Sequence, residues 1–359
     1  MTPQLALKAL APLAFFGYAA FANLQLFTSD VEGPELAGFL SGEVTAEIDT
    51  LYRANLPHRD PSVGLIGALR YALLREGRDG VVVGQRGWLF TDEEFRPLKP
   101  TRLDDTVAWI ASAQAELDAM GSTLIVVPLP AKLDIAGEHG PGATQSARVA
   151  GDYAAFLGAL DNAGIPHLDT RPVLAGAQAR FFRTDTHWTP DGAAEVAFAL
   201  AQAGTIPPGE TAFERIDKDP VRFQGDLVTF VTSDTLAPLV GLAPEQATPY
   251  LALAAVAPEA DAALDIFGTS GPVPLALVGT SYSANPNFSF VEALKLALAH
   301  DVLNYAEEGF GPVAPMRAFL ADIDRAAPPP AVIWEFPVRY LSDPKLMDDP
   351  KTNSEADNA

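Results

Sequence analysis

The chain of 359 residues contains no cysteine, which excludes disulfide bonds, thiolate catalysis and cysteine-ligated metal sites together. It is also poor in positive charge, with 24 lysines and arginines against 46 aspartates and glutamates, and its formal net charge is −22. A surface this acidic repels phosphate backbones, and the sequence has no basic stripe interleaved with aromatic residues, so we expect no nucleic acid partner. A polyanionic ligand would need a local basic patch within the acidic surface.

Charged residues are missing from one long segment near the N-terminus, between Ala9 and Phe27. Lys8 precedes this apolar run and Ala20-Phe21-Ala22 offers a cleavage site, which is the form of a secretory signal. The run of about nineteen residues is also long enough to cross a bilayer if it is not cleaved. The alternative is a buried core helix, which the extreme N-terminal position disfavours. We predict an exported, periplasmic protein in which residues 1–28 are a signal peptide or an anchor in the inner membrane.

The remaining sequence alternates between strand-like apolar runs and segments with helical periodicity. Such alternation predicts right-handed crossovers and a parallel sheet with helices on both faces. We predict one domain over residues 29–341, with an irregular insertion at about 205–270, and a disordered polar tail over residues 342–359. The predicted strands are residues 81–83, 84–90, 123–128, 166–169, 275–278, 302–305 and 331–336, and the predicted helices are 65–76, 106–120, 150–163, 190–203, 290–300 and 317–326.

An aspartate and a histidine lie two residues apart, in Asp185-Thr186-His187, just before a helix start at Thr189-Pro190. Alternate residues of an extended segment project to the same side, so the carboxylate can orient the imidazole and stabilise its protonated form. His167 and Asp169 have the same spacing but fall in a short predicted strand, and we expect them to be structural. Two alternatives stay open for the first pair. It can be a structural cluster, or it can bind a metal. Since the sequence shows no third ligand at a spacing typical of metal sites, we predict no metal.

A serine at the end of a predicted strand supplies a candidate nucleophile. Gly279-Thr280-Ser281 follows the apolar run Leu275–Val278, and functional groups of α/β sheets collect at the carboxyl ends of strands. The glycine permits a sharp turn and the close backbone approach that an oxyanion site requires. The same residue types are common in ordinary turns. Together with Asp185 and His187, however, Ser281 completes the hydroxyl, base and acid that nucleophilic acyl transfer needs.

The sequence around these residues resembles that of a known family. The block Asp-Thr-His-Trp-Thr-Pro-Asp-Gly-Ala at 185–193 is similar to the signature of the alginate O-acetyltransferase family, the AlgJ and AlgX proteins, which are SGNH-hydrolase-like. Four weaker blocks also resemble the family and follow its order: Gly87–Phe90, Val127–Lys132, Gly279–Ser283 and Ile333–Arg339. Together with the block at 185–193 they span about residues 80 to 340. AlgX proteins also carry a C-terminal carbohydrate-binding module, which we do not expect here. Alginate itself is therefore left open as the polymer.

This resemblance implies an SGNH-hydrolase-like three-layer α/β/α sandwich with a mostly parallel central sheet and a permuted motif order. It implies an O-acetyltransferase that moves acetyl groups onto hydroxyls of an exopolysaccharide. By the family pattern Ser281 is the nucleophile that forms an acetyl-serine, His187 is the general base and Asp185 is its orienting acid. A membrane-bound O-acyltransferase would be the acetyl donor, and other exopolysaccharide assembly proteins would be partners. The sequence shows no soluble cofactor motif, and we predict no cofactor.

Five further residues are candidates for substrate contacts. Trp188 and Tyr282 could stack on sugar rings, and Lys132 and Arg339 could bind acidic sugar groups; core packing and ordinary ion pairs are the alternatives. Gly225 is a candidate to help backbone N–H groups near the serine to hold an oxyanion. Two other functions stay open. One is a carbohydrate acetylesterase that uses the same three residues, and the other is a non-catalytic glycan-binding subunit of an export complex.

Overall fold

The computed structural model of the protein describes residues 3–28, 43–55, 58–176, 180–255 and 273–347. The helices are α1 (Pro3–Thr28), α2 (Glu43–Asn55), α3 (Arg59–Leu74), α4 (Pro100–Ala119), α5 (Lys132–Ile135), α6 (Ala143–Ala163), α7 (Arg171–Leu174), α8 (Pro190–Ala203), α9 (Ser281–Ala284), α10 (Phe290–Leu298) and α11 (Val313–Asp322). The strands are β1 (Val81–Val83), β2 (Leu89–Thr91), β3 (Thr123–Leu129), β4 (Phe213–Asp217), β5 (Val221–Phe223), β6 (Glu245–Ala247), β7 (Tyr250–Ala254), β8 (Leu275–Val278), β9 (Val302–Asn304) and β10 (Ala331–Pro337).

Four strands form the central sheet, in the order β3-β10-β8-β9, and all neighbours are parallel. Every residue of β10 is buried, and so is every residue of β8. Continuous apolar strands of this kind are typical of a parallel sheet that is covered on both faces. The remaining strands pair antiparallel in three two-stranded sheets, β1 with β2, β4 with β7 and β5 with β6.

Helices cover both faces of the central sheet. On one face α8 and α10 pack against alternate residues of the strands, such as Ile125 and Leu277. On the other face α4, α6 and α11 pack against the intervening residues, such as Val126 and Val278. The alternation follows from the two-residue period of a strand. The fold is therefore the predicted α/β sandwich with a parallel central sheet.

The carboxyl ends of three central strands meet at one edge of the sheet, as they must in a parallel arrangement. At this edge β3 leads into α5 at Lys132, β8 leads into α9 at Ser281, and β10 leads into a 3₁₀ turn that contains Arg339. The segment before α8 also reaches this edge. Its Thr189 caps the helix, since the side chain accepts a hydrogen bond from the Gly192 N–H at 3.2 Å. Residues distant in the sequence are thus gathered at one edge.

The N-terminal apolar segment forms the helix α1. Among residues 3–28, 43–55 and the other described ranges, no helix has both the length and the apolarity that crossing a membrane requires. The helix predicted at 65–76 is α3, but its leucine stripe faces outward instead of toward the core. Its buried face consists of Gly64, Gly67, Ala68 and Tyr71. Small residues are needed there because a Cβ at Gly67 would lie 2.0 Å from the Val231 carbonyl oxygen.

Several other boundaries differ from the sequence-based expectation. The helix expected at 317–326 lies earlier, at Val313–Asp322, and the strand expected at 166–169 is reduced to one bridge between His167 and Val126. The insertion over about 205–270 contains β4 to β7 up to Ala254, and from residue 256 onward it lies outside the described residues. Most of the predicted tail, from 348 onward, also lies outside them.

Candidate active site

The hydroxyl of Ser281 lies within hydrogen-bond distance of an imidazole. Ser281 is the first residue of α9, and Thr280 caps this short helix by accepting from the Tyr282 N–H. The chain turns sharply between β8 and α9 at Gly279, where a Cβ would lie 2.5 Å from Glu335 Oε2. This turn directs Ser281 Oγ toward His187 Nε2, at 2.7 Å. The two residues are 94 positions apart in the sequence.

Asp185 orients the same imidazole from its other side. Asp185 Oδ1 lies 2.7 Å from His187 Nδ1 and also accepts the His187 backbone N–H at 2.9 Å. Since a carboxylate only accepts hydrogen bonds, Nδ1 carries the proton and Nε2 is left to accept from Ser281. The rings of Phe288 and Tyr282 pack against His187, with centroids at 5.0 and 4.7 Å, and fix its position.

The Asp185 carboxylate is stabilised in its charged form. Its burial acts to raise its pKa, but the hydrogen bond and charge of His187 and the N–H groups of Asp226 and His187 outweigh burial. The pKa of Asp185 is therefore lowered from its ordinary value. A carboxylate that stays ionised can hold the imidazole in one tautomer and stabilise its positive charge.

A second carboxylate, Asp226, supports Asp185 and was not singled out from the sequence. Its backbone N–H donates to Asp185 Oδ2 at 3.0 Å, and its Oδ1 accepts the Thr186 N–H at 2.8 Å. Its Oδ2 lies 3.8 Å from His187 Nδ1. Partial burial and the charge of Asp185 raise the pKa of Asp226. The preceding residue, Gly225, packs so tightly that a Cβ there would lie 2.3 Å from the Thr184 carbonyl oxygen. The Gly225-Asp226 segment therefore closes one side of the site.

A third carboxylate holds the turn that carries the serine. Glu335 is fully buried in β10, and its Oε2 accepts from the Thr280 N–H at 2.8 Å and from Ser283 Oγ at 3.0 Å. Thr280 Oγ1 lies at 3.2 and 3.1 Å from the two carboxylate oxygens. Burial raises the pKa of Glu335 despite these hydrogen bonds. Glu335 thus fixes the residues on both sides of Ser281. The sequence signal was a lone acidic residue within an apolar strand run.

Lys132 is a structural residue at this edge, which corrects the expectation that it binds acidic sugar groups. Its side chain is fully buried, and its Nζ donates to three carbonyl oxygens, those of Leu89, Arg183 and Asp185, at 2.6, 2.9 and 2.8 Å. Burial lowers the pKa of Lys132 to about 8, against the opposing effect of nearby carboxylates. Lys132 therefore ties the backbone of the Asp185 segment to strands β2 and β3.

The other three side chains that were expected to contact the substrate are also buried, so the same correction applies to that expectation. Trp188 lies in the core and its Nε1 donates to the Tyr282 carbonyl oxygen at 3.0 Å. Tyr282 donates its hydroxyl hydrogen to the Thr186 carbonyl oxygen at 2.9 Å. Arg339 is bonded to Glu93 at 3.0 Å and to the Tyr282 hydroxyl at 3.0 Å. These side chains frame the site from inside the protein, because their polar atoms already have partners and their rings are covered.

Asp185, His187 and Asp226 also form a group that could hold a metal ion, since each offers one ligand atom and these atoms lie within 4.8 Å of one another. Asp226 is the third ligand that the sequence spacing did not reveal. A metal at His187 Nδ1 would replace the hydrogen bond to Asp185, whereas with Nδ1 protonated Asp185 keeps this bond and Asp226 keeps its own bond from the Thr186 N–H.

Comparison with known proteins agrees with this fold and shows the family of the chain. The family model described as SGNH hydrolase-like domain, acetyltransferase AlgX, matches residues 81–338. The protein named probable alginate O-acetylase AlgJ from Pseudomonas aeruginosa is 38% identical over 92% of this chain and 90% of its own length. The protein named alginate biosynthesis protein AlgX from Pseudomonas putida is 31% identical over 74% of this chain and 58% of its own length.

Solved structures of AlgJ and AlgX have a fold similar to that of this chain. The O-acetyltransferase domain of Pseudomonas putida AlgJ superposes with a TM-score of 0.62 at 33% identity, covering 78% of this chain and 99% of that domain. Pseudomonas aeruginosa AlgX, at 24% identity and a TM-score of 0.57, covers 75% of this chain and shares the fold. The chain therefore belongs to the AlgX family of SGNH hydrolase-like acetyltransferase domains.

Proposed function

We propose that this protein is an exopolysaccharide O-acetyltransferase in which Ser281 is the nucleophile, His187 the general base and Asp185 the residue that orients the base. The observation that carries the proposal is the continuous hydrogen-bonded line from Ser281 Oγ through the imidazole to Asp185, with two distances of 2.7 Å. Such a line activates a hydroxyl that is otherwise a weak nucleophile.

In the first step Ser281 Oγ attacks the carbonyl carbon of an acetyl donor while His187 Nε2 takes the hydroxyl proton. Collapse of the tetrahedral intermediate breaks the bond to the donor oxygen, and His187 returns the proton to that leaving group. The product is acetyl-Ser281. Asp185 stabilises the imidazolium that exists between the two proton transfers.

In the second step a sugar hydroxyl attacks the acetyl carbon of acetyl-Ser281 while His187 Nε2 takes the hydroxyl proton. Ser281 Oγ then leaves and receives this proton, so the enzyme is regenerated and the acetyl group is bound to the sugar. Water can replace the sugar in this step, and transfer wins only if the sugar hydroxyl is positioned and water is excluded. An acetylesterase with the same three residues is therefore the second candidate function.

Two backbone N–H groups are suited to hold the negative oxygen of the tetrahedral intermediates. One is the N–H of Ser281, at the first position of α9, and the other is that of Gly225. Gly225 lies next to the site because Asp226 is bonded to both Asp185 and Thr186. N–H groups that are already in place when charge develops lower the barrier without reorganisation.

The acceptor is proposed from the names of the relatives, and the donor from the resemblance of the sequence to the family. Curated relatives are named for alginate O-acetylation, so the acceptor is alginate or a similar exopolysaccharide. A membrane-bound O-acyltransferase would supply the acetyl group, and other assembly proteins of the polymer would be partners. With these roles we propose a periplasmic protein in which residues 1–28 are a signal peptide or anchor, 29–341 the acetyltransferase domain and 342–359 a tail.

The test is turnover of an activated acetyl ester by the purified protein, with and without an acceptor oligosaccharide. We expect acetylated oligosaccharide from the parent, and loss of all acetyl turnover in Ser281→Ala. The exposed Ser112→Ala in α4 is the matched control and should keep full turnover. Acetate release without any transfer would favour the esterase. Full turnover by Ser281→Ala would refute the nucleophile assignment.

A further inference from the structure

A cavity of about 460 Å³ opens beside the turn that joins β1 to β2. Its wall is formed by Gly84 to Gly87 of this turn, by Tyr71 and Arg75 at the end of α3, and by Val240 and Gly241. Glycine backbone makes up much of the wall, so a ligand could approach the main chain closely. The Gly87-Trp88-Leu89-Phe90 block that resembles the family sequence begins at this turn.

Two arginines line this cavity, and a third lies next to Gly87 in its wall. Arg75 and Arg86 line it, and the guanidinium of Arg183 lies just behind Gly87, since a Cβ at Gly87 would be 3.7 Å from Arg183 Nη1. We call this cavity with Arg75, Arg86 and Arg183 the arginine pocket. Nine other arginines form ion pairs with carboxylates in the described part of the chain. None of the three pocket arginines has such a pair among the described residues.

Two of these arginines adopt an unfavourable backbone conformation. Arg75 has φ 57° and Arg86 has φ 55°, in the left-handed region where glycine, asparagine and aspartate are preferred. Arg86 and Gly87, with φ 79°, are the central residues of a tight turn that is closed by the Trp88 N–H bonded to the Gln85 carbonyl oxygen at 3.0 Å. Strained residues of this kind concentrate at binding sites, and here two of them border one cavity.

The arginine pocket is connected to the active site through the backbone. Arg183 precedes Asp185 by two residues, and its carbonyl oxygen accepts from the Leu89 N–H at 3.0 Å and from Lys132 Nζ at 2.9 Å. The same Nζ also binds the Asp185 carbonyl oxygen at 2.8 Å. Lys132 Nζ therefore holds the backbone of Arg183, beside the pocket, and also the backbone of Asp185, which orients His187.

We propose that the arginine pocket binds the carboxylate of an acidic sugar unit of the acceptor chain, at a position away from the unit that is acetylated. This inference rests on the proposed transferase function. Guanidinium groups bind carboxylates through two parallel hydrogen bonds, and three guanidinium groups without ion pairs at one cavity provide several such donors. On a chain with a net charge of −22, an anionic glycan is repelled from most of the surface and needs a local basic site of this kind.

Binding is measured apart from catalysis, by titrating uronic acid oligosaccharides into the full chain carrying Ser281→Ala and recording Kd by calorimetry. We expect the Kd to rise ~10-fold when either Arg86→Gly or Arg183→Ala is added, because each removes a charge-assisted pair. Arg325→Ala is the control, since it removes the same charge at the opposite edge of the sheet, where Arg325 pairs with Glu116. This control should leave the Kd unchanged. An uncharged oligosaccharide of the same length should bind at least ~10-fold more weakly than the uronic acid chain.

Arg86→Gly also separates binding from folding. Glycine accepts the left-handed conformation of residue 86, so the variant should unfold at the same temperature as the parent or above it. In the catalytically intact protein it should raise the KM for the acidic acceptor and leave acetyl ester hydrolysis unchanged. If the transferase proposal fails, the binding results still hold, because no turnover is involved in them.

Three results would overturn the proposal. The first is an unchanged Kd for the uronic acid chain in both arginine variants, and the second is equally tight binding of the uncharged oligosaccharide. The third is that the protein binds vesicles containing anionic lipid and not the uronic acid chain, and that both arginine variants lose this vesicle binding. The third result would assign the pocket to a lipid headgroup.

Discussion

The substitution Asp185→Asn keeps the shape of the side chain but replaces one acceptor oxygen with an NH₂ donor. In the protein, Asp185 Oδ1 accepts from the backbone N–H and Nδ1 of His187, and Oδ2 accepts from the Asp226 N–H at 3.0 Å. Since all of these partners are donors, an asparagine must turn its NH₂ group toward one of the two sides. Either orientation leaves a backbone N–H without its acceptor, which costs about 1–3 kcal/mol of stability.

The two orientations differ in their effect on catalysis. If the amide oxygen faces His187, Nδ1 keeps its proton and Nε2 can still accept from Ser281. If the NH₂ group faces His187, Nδ1 becomes the acceptor, the proton moves to Nε2, and the base cannot take the serine proton. The same change in a serine protease triad lowers kcat by about 10⁴-fold. We therefore expect acetyl turnover to fall by roughly 10²- to 10⁴-fold, between these two cases.

The measurement is kcat for acetate release from an activated acetyl ester, together with urea unfolding of the same samples. Asp105→Asn, an exposed position in α4, is the matched control and should change neither quantity. A folded Asp185→Asn protein with the turnover of the parent would refute the role given to Asp185.

Three further substitutions test the residues around the site. Glu335→Ala should lower the free energy of unfolding by roughly 3 kcal/mol, since it leaves the donors of Thr280 and Ser283 unpaired in the interior, whereas Glu335→Gln should cost about 1 kcal/mol; urea unfolding of both checks this, and equal losses would contradict it. Gly225→Ala should lower kcat at least ~10-fold, because its methyl group would meet the Thr184 carbonyl oxygen at 2.3 Å; unchanged kcat would contradict the close packing. Lys132 has a pKa lowered to about 8, so between pH 8 and its ordinary value the unfolded chain binds a proton that the folded chain releases. The unfolding free energy of the parent should therefore rise with pH in this window relative to Lys132→Met, by up to about 3 kcal/mol, and a constant difference would contradict the lowered pKa.

The central sheet and the contact between Asp185 and His187 could be predicted because their signals are local. The apolar runs of β3, β8 and β10 follow from burial on both faces, and the start of α8 follows from Thr189-Pro190. Asp185 and His187 face the same side because they are alternate residues of an extended segment. The position of Ser281 at a strand end followed from the run Leu275–Val278.

The supporting residues could not be predicted in the same way, because their roles depend on contacts between distant segments. Asp226 contacts Asp185 across 41 residues and Glu335 holds Thr280 across 55. Lys132 was expected to bind acidic sugar groups or to form an ordinary ion pair, yet three carbonyl oxygens from other segments satisfy its ammonium group inside the protein. For the same reason Arg339 is buried: it meets Glu93 from the other end of the domain. The spacing of apolar residues along the sequence does not reveal such contacts.

Acetylation of Ser281 itself is the most direct measurement of the central claim. The protein is mixed with an activated acetyl ester and no acceptor, quenched in acid, digested and analysed by mass spectrometry. We predict one acetyl group on the peptide that contains Ser281, its loss in His187→Ala, and its removal from the parent when an acceptor oligosaccharide is added before quenching. Acetylated acceptor formed with Ser281 never modified, or formed equally well by Ser281→Ala, would contradict the account.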